Sequence, residues 1–221
     1  MDIMAIIESI NIGTAEKLSA DSGKVYDTGI FKKPVPGPQA LRILGLPGDA
    51  VMDRRFHGGV DKALCVYFSD HFSHIKTALG LDCSAGSFGE NLTISGLDEM
   101  KVHIGDSFKI GTAEIQCTEP RQPCFKLARI HKSPELINFL RETGFTGAYF
   151  RVLKEGQVSP GDELELIQSH AGKFSIAKAN RLLYKDKKDN ALIEEILSIE
   201  ELSSTLRKYF QGKFEKKHSA L

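Results

Sequence analysis

The sequence lacks a long apolar segment and an excess of either charge. None of its hydrophobic runs approaches the roughly 20 residues that cross a bilayer, and 29 basic residues balance 29 acidic ones in a chain of 221. A chain without net charge does not attract nucleic acid or an anionic membrane through its overall field. We therefore expect neither a nucleic-acid nor a membrane partner, and any anion site has to be local.

The four cysteines lack the spacing of a metal or redox motif. Cys65, Cys83, Cys117 and Cys124 form no C-x-x-C pair and match neither zinc nor iron–sulfur patterns. The first residues, "MDIMAIIESI", lack the basic region and the small-residue cleavage site of an export signal. We therefore expect a cytoplasmic protein with reduced thiols, and no electron-transfer centre of its own.

Turn residues punctuate the chain at short intervals as far as about residue 170. The runs between them, such as "KVYDTGIF", "ALCVYF" and "AEIQCT", are typical of a barrel or sandwich of short strands. Two inserted helices are predicted, "SDHFSHIKTAL" and "SPELINFLRETG", the second capped by Ser133. We expect a β domain over residues 1–170, with a motif-bearing core at about 30–167.

The pattern becomes helical after Leu166. The segments "SIAKANRLL", "NALIEEIL" and "SIEELSSTLRKYFQGKF" predict three helices, the last opening with a capping box of Ser198 and Glu201. Such short helices are marginal alone, so we expect a three-helix domain over residues 171–221 that packs on the β domain. Covering the site or forming a homodimer contact is the other role left open for it.

Cys124 lies in the most basic stretch of the chain, "EPRQPCFKLARIHK". Pro120 and Pro123 exclude the middle of an ordinary strand and favour a shaped loop at a strand end. Cations such as Arg121 and Lys126 stabilise a thiolate, which is a nucleophile and a ligand for soft metals. The alternative is a buried thiol that acts only as a small apolar residue.

A second polar cluster is "DRRFHGGVDKAL". Gly58 and Gly59 allow a tight turn whose amides point at an anion, and Arg54, His57 and Lys62 supply further donors. The segment does not have P-loop spacing, so a nucleoside triphosphate is not implied. The cluster is either a phosphate-binding turn or a hairpin turn flanked by solvated charges.

A third glycine-containing polar turn is "SFGENLTISG", where Gly89 and Asn91 flank Glu90. The Asn91 amide both donates and accepts hydrogen bonds. A β scaffold can bring this turn and the two preceding clusters to one rim.

These motifs together resemble a known family. "DRRFHGGVDKALCVYFSDHF", "FGENLTISGL", "IGDSFKIGTAEIQCTEPRQPCFKL" and "SPGDELEL" resemble the MOSC domain, named for the C-terminal part of molybdenum cofactor sulfurases, and the helical tail resembles that of bacterial YiiM-type members. The resemblance implies a mixed, mainly β fold: a MOSC-type β-barrel with a few inserted helices, followed by a small C-terminal three-helix domain. It implies the molybdenum cofactor (molybdopterin), no other cofactor, and Cys124 as a ligand of the metal.

The resemblance also implies residue roles and an activity. It places Arg54, His57, Lys62, Asn91 and Arg121 near the pterin and its phosphate, and the motifs themselves add Gly58, Gly59 and Lys126 as cofactor-binding residues. The implied activity is reductive removal of the hydroxyl group from N-hydroxylated bases such as hydroxylaminopurine, a detoxification reaction.

The catalytic residues expected from this activity are Cys124 and His57. His57 is the hypothetical proton donor because its reference pKa is near 6.5. A separate reductase has to supply two electrons. The alternatives are a sulfur carrier or cofactor-handling protein that uses a Cys124 persulfide, and a binding module without catalysis.

Overall fold

The computed structural model describes residues 4–19, 23–52 and 57–218. Its twelve strands within these ranges are β1 (Ile6–Ile12), β2 (Glu16–Ser19), β3 (Val25–Thr28), β4 (Lys33–Pro34), β5 (Gln39–Leu41), β6 (Leu64–Phe68), β7 (Leu92–Ser95), β8 (Ser107–Ile110), β9 (Ala113–Pro120), β10 (Ala148–Lys154), β11 (Gly156–Val158) and β12 (Leu164–Gln168). The α-helices in the same ranges are α1 (Phe72–Leu79), α2 (Phe125–Ile130), α3 (Leu136–Thr143), α4 (Ile176–Tyr184), α5 (Asn190–Leu197) and α6 (Ser204–His218), and two short 3-10 helices cover Val60–Lys62 and Ser69–His71.

Eight strands form one sheet in the order β12-β8-β9-β10-β6-β7-β1-β4. The neighbours are antiparallel except β6 and β7, which run parallel with Val66 opposite Leu92. Two backbone bonds of 2.9 Å, from the Ile7 amide to the Asp162 carbonyl and from the Leu164 amide to the Ala5 carbonyl, tie β1 to the start of β12. The sheet therefore curls towards closure, and the predicted fold class, mainly β with a C-terminal helical domain, is confirmed.

One apolar core joins the sheet to the C-terminal helices. Fully buried sheet residues such as Ile115 and Phe150 belong to the same cluster as Leu182 on α4 and Phe210 on α6. Burying such side chains stabilises the fold by about 1.5–3 kcal/mol each. The C-terminal helices therefore pack on the sheet, as the sequence predicts.

A second, smaller apolar cluster attaches α1, α2 and α3 to the other side of the sheet. Its centre is Tyr67 on β6, whose ring stacks on Phe88 with centroids 4.0 Å apart. Leu127 of α2 and Leu140 of α3 are fully buried in it. This cluster holds the segment that follows Cys124 against the sheet.

Two predicted helix starts are wrong. Ser198 ends α5, with its amide bonded to the Glu194 carbonyl at 3.0 Å, and α6 begins only at Ser204. The intervening segment is held by tertiary contacts, because the Arg151 Nη2 donates to the Glu201 carbonyl at 2.8 Å. The Ser203 hydroxyl accepts the Leu206 amide at 3.1 Å and so caps α6 in place of Ser198. Ser133 likewise does not cap α3, whose cap position is Glu135.

None of the described helices is long and apolar enough to cross a membrane.

Candidate functional site

A pocket with an empty volume of about 630 Å³ opens at one rim of the sheet. It is lined by the loop after β3, the loop before the 57–62 turn, that turn, the start of β6, the 89–91 turn, the 121–126 segment and β10. The β3 loop and the loop before the turn approach each other closely, because a Cβ at Gly29 would lie 1.8 Å from the Ala50 carbonyl oxygen. The three polar clusters of the sequence therefore contribute to one cavity.

Cys124 lies where β9 has ended and α2 is about to begin. The two prolines do what the sequence predicts, since β9 ends at Pro120 and the four residues after it form a loop. Cys124 is half-buried, lines the pocket and has extended backbone angles as the N-cap residue of α2. Its thiol is thus presented at the pocket wall and is not sealed in the core.

Arg121 places a buried cation in the same wall. The residue is 5% exposed, and its Nη2 donates a hydrogen bond to the Phe88 carbonyl. Its Nη1 is buried without a protein partner. Burial lowers the pKa of Arg121, but the neighbouring Cys65, Tyr149 and Cys124 raise it, and the net direction is upward. A buried guanidinium with an unused donor is costly unless an anion accepts that hydrogen bond.

A buried ion pair forms another part of the pocket wall. Lys32 and Asp49 are each 6% exposed and joined through Nζ and Oδ1. Asp49 also accepts the Asn91 amide at 2.9 Å through Oδ2 and the Gly13 backbone amide at 2.9 Å through Oδ1. Asn91 in turn accepts the Cys65 amide at 3.1 Å. Asn91 is therefore a connector that holds β6 to the pocket loops.

His57 and Tyr149 meet where the pocket turns towards Cys124. The His57 Nδ1 lies 3.2 Å from the Tyr149 hydroxyl, so the two share a hydrogen bond. Burial raises the pKa of Tyr149 well above its usual value, and the phenol therefore stays protonated near neutral pH. The contact fixes the position of the imidazole ring.

Lys62 is held in the pocket by a second buried ion pair. Its Nζ lies 2.6 Å from the Glu119 Oε1, and the two side chains are 8% and 2% exposed. The ammonium also lies over the Tyr149 ring, 5.3 Å from the centroid. Glu119 is the second-last residue of β9, so this pair couples the 57–62 turn to the strand that leads to Cys124.

The four thiols differ sharply in environment, and all are free. Burial raises the pKa of Cys65 to about 11, and that of Cys117 well above its usual value. Cys83 lies in a loop, and its pKa is also raised to about 11, mainly by burial. Cys65 lines the pocket as a buried, protonated thiol, whereas Cys124 is half-buried.

The predicted site residues fall into three groups. Among those described, the residues that line the pocket are His57, Lys62, Asn91, Arg121, Cys124 and Lys126. Gly58 and Gly59 form the turn between His57 and Lys62, with the Gly59 carbonyl accepting the Lys62 amide at 3.0 Å, and do not line the cavity themselves. Arg54 lies outside the described residues.

Sequence reasoning missed Lys32, Asp49, Tyr149 and Glu119. Lys32 and Asp49 lie in loops without a motif, and Tyr149 is one of several aromatic residues in an ordinary strand pattern. Glu119 adjoins the quoted proline motif and is an acid within a basic stretch. Its position in the sequence does not indicate that it forms a buried ion pair with Lys62.

The donor set fits a metal that arrives within an anionic cofactor. Among the described residues there is no group of three or more His, Cys, Asp or Glu side chains that could hold a bare metal ion. What the pocket offers is the Cys124 thiol, the buried Cys65 thiol, the unused buried Nη1 of Arg121, and four cationic side chains: Lys32, Lys62, Arg121 and Lys126. These groups suit a phosphate-bearing ligand whose metal takes one protein sulfur and brings its other ligands with it.

Comparisons with known proteins find matches for both the β domain and the C-terminal helices. A family model described as the MOSC domain matches residues 53–165, and one described as the YiiM-like, 3-alpha helix domain matches residues 175–216. The uncharacterized protein YflK of Bacillus subtilis (strain 168) is 43% identical over 93% of this chain and 92% of its own. Protein YiiM of Escherichia coli (strain K12) is 32% identical over 83% of each chain.

A solved structure and a more distant relative extend these comparisons. The crystal structure of YiiM from Geobacillus stearothermophilus superposes with a TM-score of 0.81 at 38% identity, covering 94% of this chain and 98% of that one. A protein of Gibberella moniliformis (strain M3125 / FGSC 7600) named reductase is 31% identical over 73% of this chain, which corresponds to 29% of its own length. The chain therefore belongs to the MOSC domain family and carries the YiiM-like three-helix domain behind its MOSC domain.

Proposed function

We propose that the protein is a molybdenum-cofactor-dependent reductase of N-hydroxylated bases such as hydroxylaminopurine. In the reaction, the N-hydroxylated amine takes up two electrons and two protons, its N–O bond breaks, and the amine and one water leave. The electrons come from a separate electron-donating reductase. When bound, the cofactor supplies the two-electron chemistry that breaks the N–O bond.

The residues of the pocket would divide the remaining work. Cys124 would ligate the metal through its sulfur, and Arg121 and Lys126 would face the anionic part of the cofactor. Asn91 would keep the rim in place through its bond to Asp49. We assign to His57 the transfer of a proton to the departing oxygen, with Tyr149 holding its ring.

One observation carries the proposal. A half-buried thiol and a buried guanidinium with an unused donor line the same cavity, in a protein whose net charge is zero. A structural thiol would not need that neighbourhood, whereas a metal-bearing anion would use both groups. The relative named reductase supports the reaction class.

The test uses protein made in a host that synthesises the cofactor. We expect molybdenum and pterin to co-purify with the wild type and the metal content to fall at least tenfold in Cys124→Ala. Cys83→Ala is the matched control, because Cys83 is also half-buried but does not line the pocket. Equal molybdenum in wild type and Cys124→Ala would remove the ligand assignment.

Activity is measured on the same preparations. Loaded wild-type protein should convert hydroxylaminopurine to adenine when given a chemically reduced viologen dye. His57→Gln should lower kcat and leave KM nearly unchanged, because the proton transfer belongs to the chemical step. Loaded protein that does not turn over but carries cyanide-labile sulfur on Cys124 would support the sulfur-carrier alternative. Loaded protein with neither property would be a binding module.

A further inference from the structure

A second chamber adjoins the cofactor pocket and is open to Cys124 from the other side. Its empty volume is about 1170 Å³, and four residues line both cavities: His57, Lys62, Cys124 and Tyr149. The thiol therefore lies in the wall between the two. If the first cavity takes the cofactor, the second is the space from which a further molecule reaches the same atoms.

The far wall of this chamber comes from the C-terminal domain. Helix α6 contributes Thr205, Leu206, Lys208 and Tyr209, and the loop before α2 contributes Gln122 and Pro123. The helical domain is thus part of the lining and does more than pack on the sheet. A MOSC domain without this helix would have an open surface here.

Tyr209 is the aromatic group on that wall. It is 44% exposed, while the next residue, Phe210, is fully buried and meets the Tyr209 ring edge-on at 5.1 Å. The buried neighbour anchors the helix behind the ring. The Lys213 ammonium lies over one face of the Tyr209 ring, 4.5 Å from its centroid, so a base would stack on the other face. A planar base stacks favourably on such a ring whatever its substituents, because every base has a π face.

The start of α6 is anchored to the residues that line the cofactor pocket. The Glu119 Oε1 faces Lys62, and its Oε2 accepts hydrogen bonds from the hydroxyl groups of Ser203 and Thr205. Asp61 in the 57–62 turn accepts the Ser204 amide at 2.9 Å. One carboxylate therefore links the wall of the second chamber to the wall of the first.

A neighbouring guanidinium completes this connection. The Arg151 Nη2 donates to the Asp61 Oδ1 at 2.8 Å and to the Glu201 carbonyl at 2.8 Å, so it joins β10, the turn and the segment before α6. A wall held by several such bonds keeps a fixed distance from Cys124, which positioning of a substrate requires.

We propose that α6 forms the substrate wall of the enzyme, with Tyr209 as the stacking platform for a planar N-hydroxylated heterocycle. Stacking on this ring orients the N-hydroxyl group towards the wall between the two cavities, where Cys124 and His57 lie. The inference rests on the proposed function for its reaction, but the binding site itself does not depend on turnover. It assigns to the C-terminal domain the preference for planar bases over small N-hydroxylated compounds.

The binding test uses 2-aminopurine, a planar purine whose fluorescence is quenched by stacking. The protein has no tryptophan, so the probe can be excited without interference from indole. We expect saturable quenching in cofactor-loaded wild type, and roughly tenfold weaker binding in Tyr209→Leu, which keeps an apolar side chain but no ring. Tyr209→Phe should bind as wild type. Gln211→Ala, an exposed position on the same helix, is the matched control.

A kinetic test on the same proteins adds a second readout. Tyr209→Leu should raise KM for hydroxylaminopurine about tenfold with little change in kcat, and leave the kinetics for N-hydroxyurea, which has no ring, unchanged. An equal change for both substrates would mean that the variant perturbs the shared cofactor pocket, and would overturn the stacking assignment.

The outcomes separate this inference from the proposed function. Tyr209-dependent quenching without reduction of any N-hydroxylated compound would refute the reductase and leave the planar-ligand site standing. Reduction of hydroxylaminopurine with equal binding in wild type, Tyr209→Leu and Gln211→Ala would refute the stacking platform and leave the reductase. The absence of saturable binding in wild type would also refute the platform.

Discussion

The buried pair of Glu119 and Lys62 gives the sharpest prediction about stability. The two charges are 2.6 Å apart and nearly inaccessible, with side chains 2% and 8% exposed. Removing one partner of a buried pair costs about 3–5 kcal/mol, because the other charge keeps its desolvation penalty. Glu119→Gln retains an oxygen that can accept from Ser203, so we place its cost at the lower end, at about 3 kcal/mol.

In a chain of this length, 1 kcal/mol shifts Tm by about 2–4 °C. Glu119→Gln should therefore lower Tm by roughly 6–12 °C, and urea denaturation should show a lower midpoint at unchanged slope. The matched control is Glu114→Gln on the same strand. Glu114 pairs with Lys154 at 3.3 Å on the surface, where side chains are 33% and 64% exposed, and such pairs contribute about 0–1 kcal/mol.

A double variant completes the test. Glu119→Gln with Lys62→Met removes both charges, and it should recover a large part of the lost stability because no buried charge remains without its partner. If Glu119→Gln costs no more than Glu114→Gln, the pair does not hold the 57–62 turn and α6 together, and the argument for a fixed chamber wall fails with it.

Two further predictions concern the cysteines. Iodoacetamide at pH 8 should modify Cys124 first. Burial raises the pKa of Cys65 and Cys83 to about 11, so on the order of one in a thousand of each of these two thiols is ionised at that pH. Peptide mass mapping that finds Cys83 labelled as fast as Cys124 would contradict this. The folded-state pKa of Cys65 lies above the ordinary value of 9.0, so its contribution to stability is present below pH 9 and is lost as the pH rises through about 11. The loss should reach about 3 kcal/mol, and Cys65→Ala should lose less stability than wild type between pH 9 and 11 in urea titrations; equal losses would refute the assignment.

The family resemblance predicted the fold class. The local patterns predicted several ends of helices and strands, because caps and prolines act on residues that are near them in the chain. Ser175, which precedes the predicted helix "IAKANRLL", caps α4 by accepting the Lys178 amide at 3.1 Å. Pro120 and Pro123 end β9 and shape the loop before Cys124, since a proline cannot donate to a strand ladder. The failure at Ser198 has a long-range cause: Arg151 and Asp61 bind the segment around the start of α6, and Ser203 caps the helix instead.

The sequence by itself determined which residue types the site would have, namely a thiol in a basic stretch and glycine-containing polar turns, in a chain whose net charge is zero. Only the tertiary structure decided which of them meet. Lys32, Asp49 and Tyr149 carry no local signal, and they line the cavity because the β3 loop and β10 reach the same rim. That Tyr209 and Cys124 line the same chamber also follows from contacts between distant parts of the chain. It depends on Glu119 binding Lys62 on one side and Ser203 on the other, and no local pattern in the sequence encodes such a pairing.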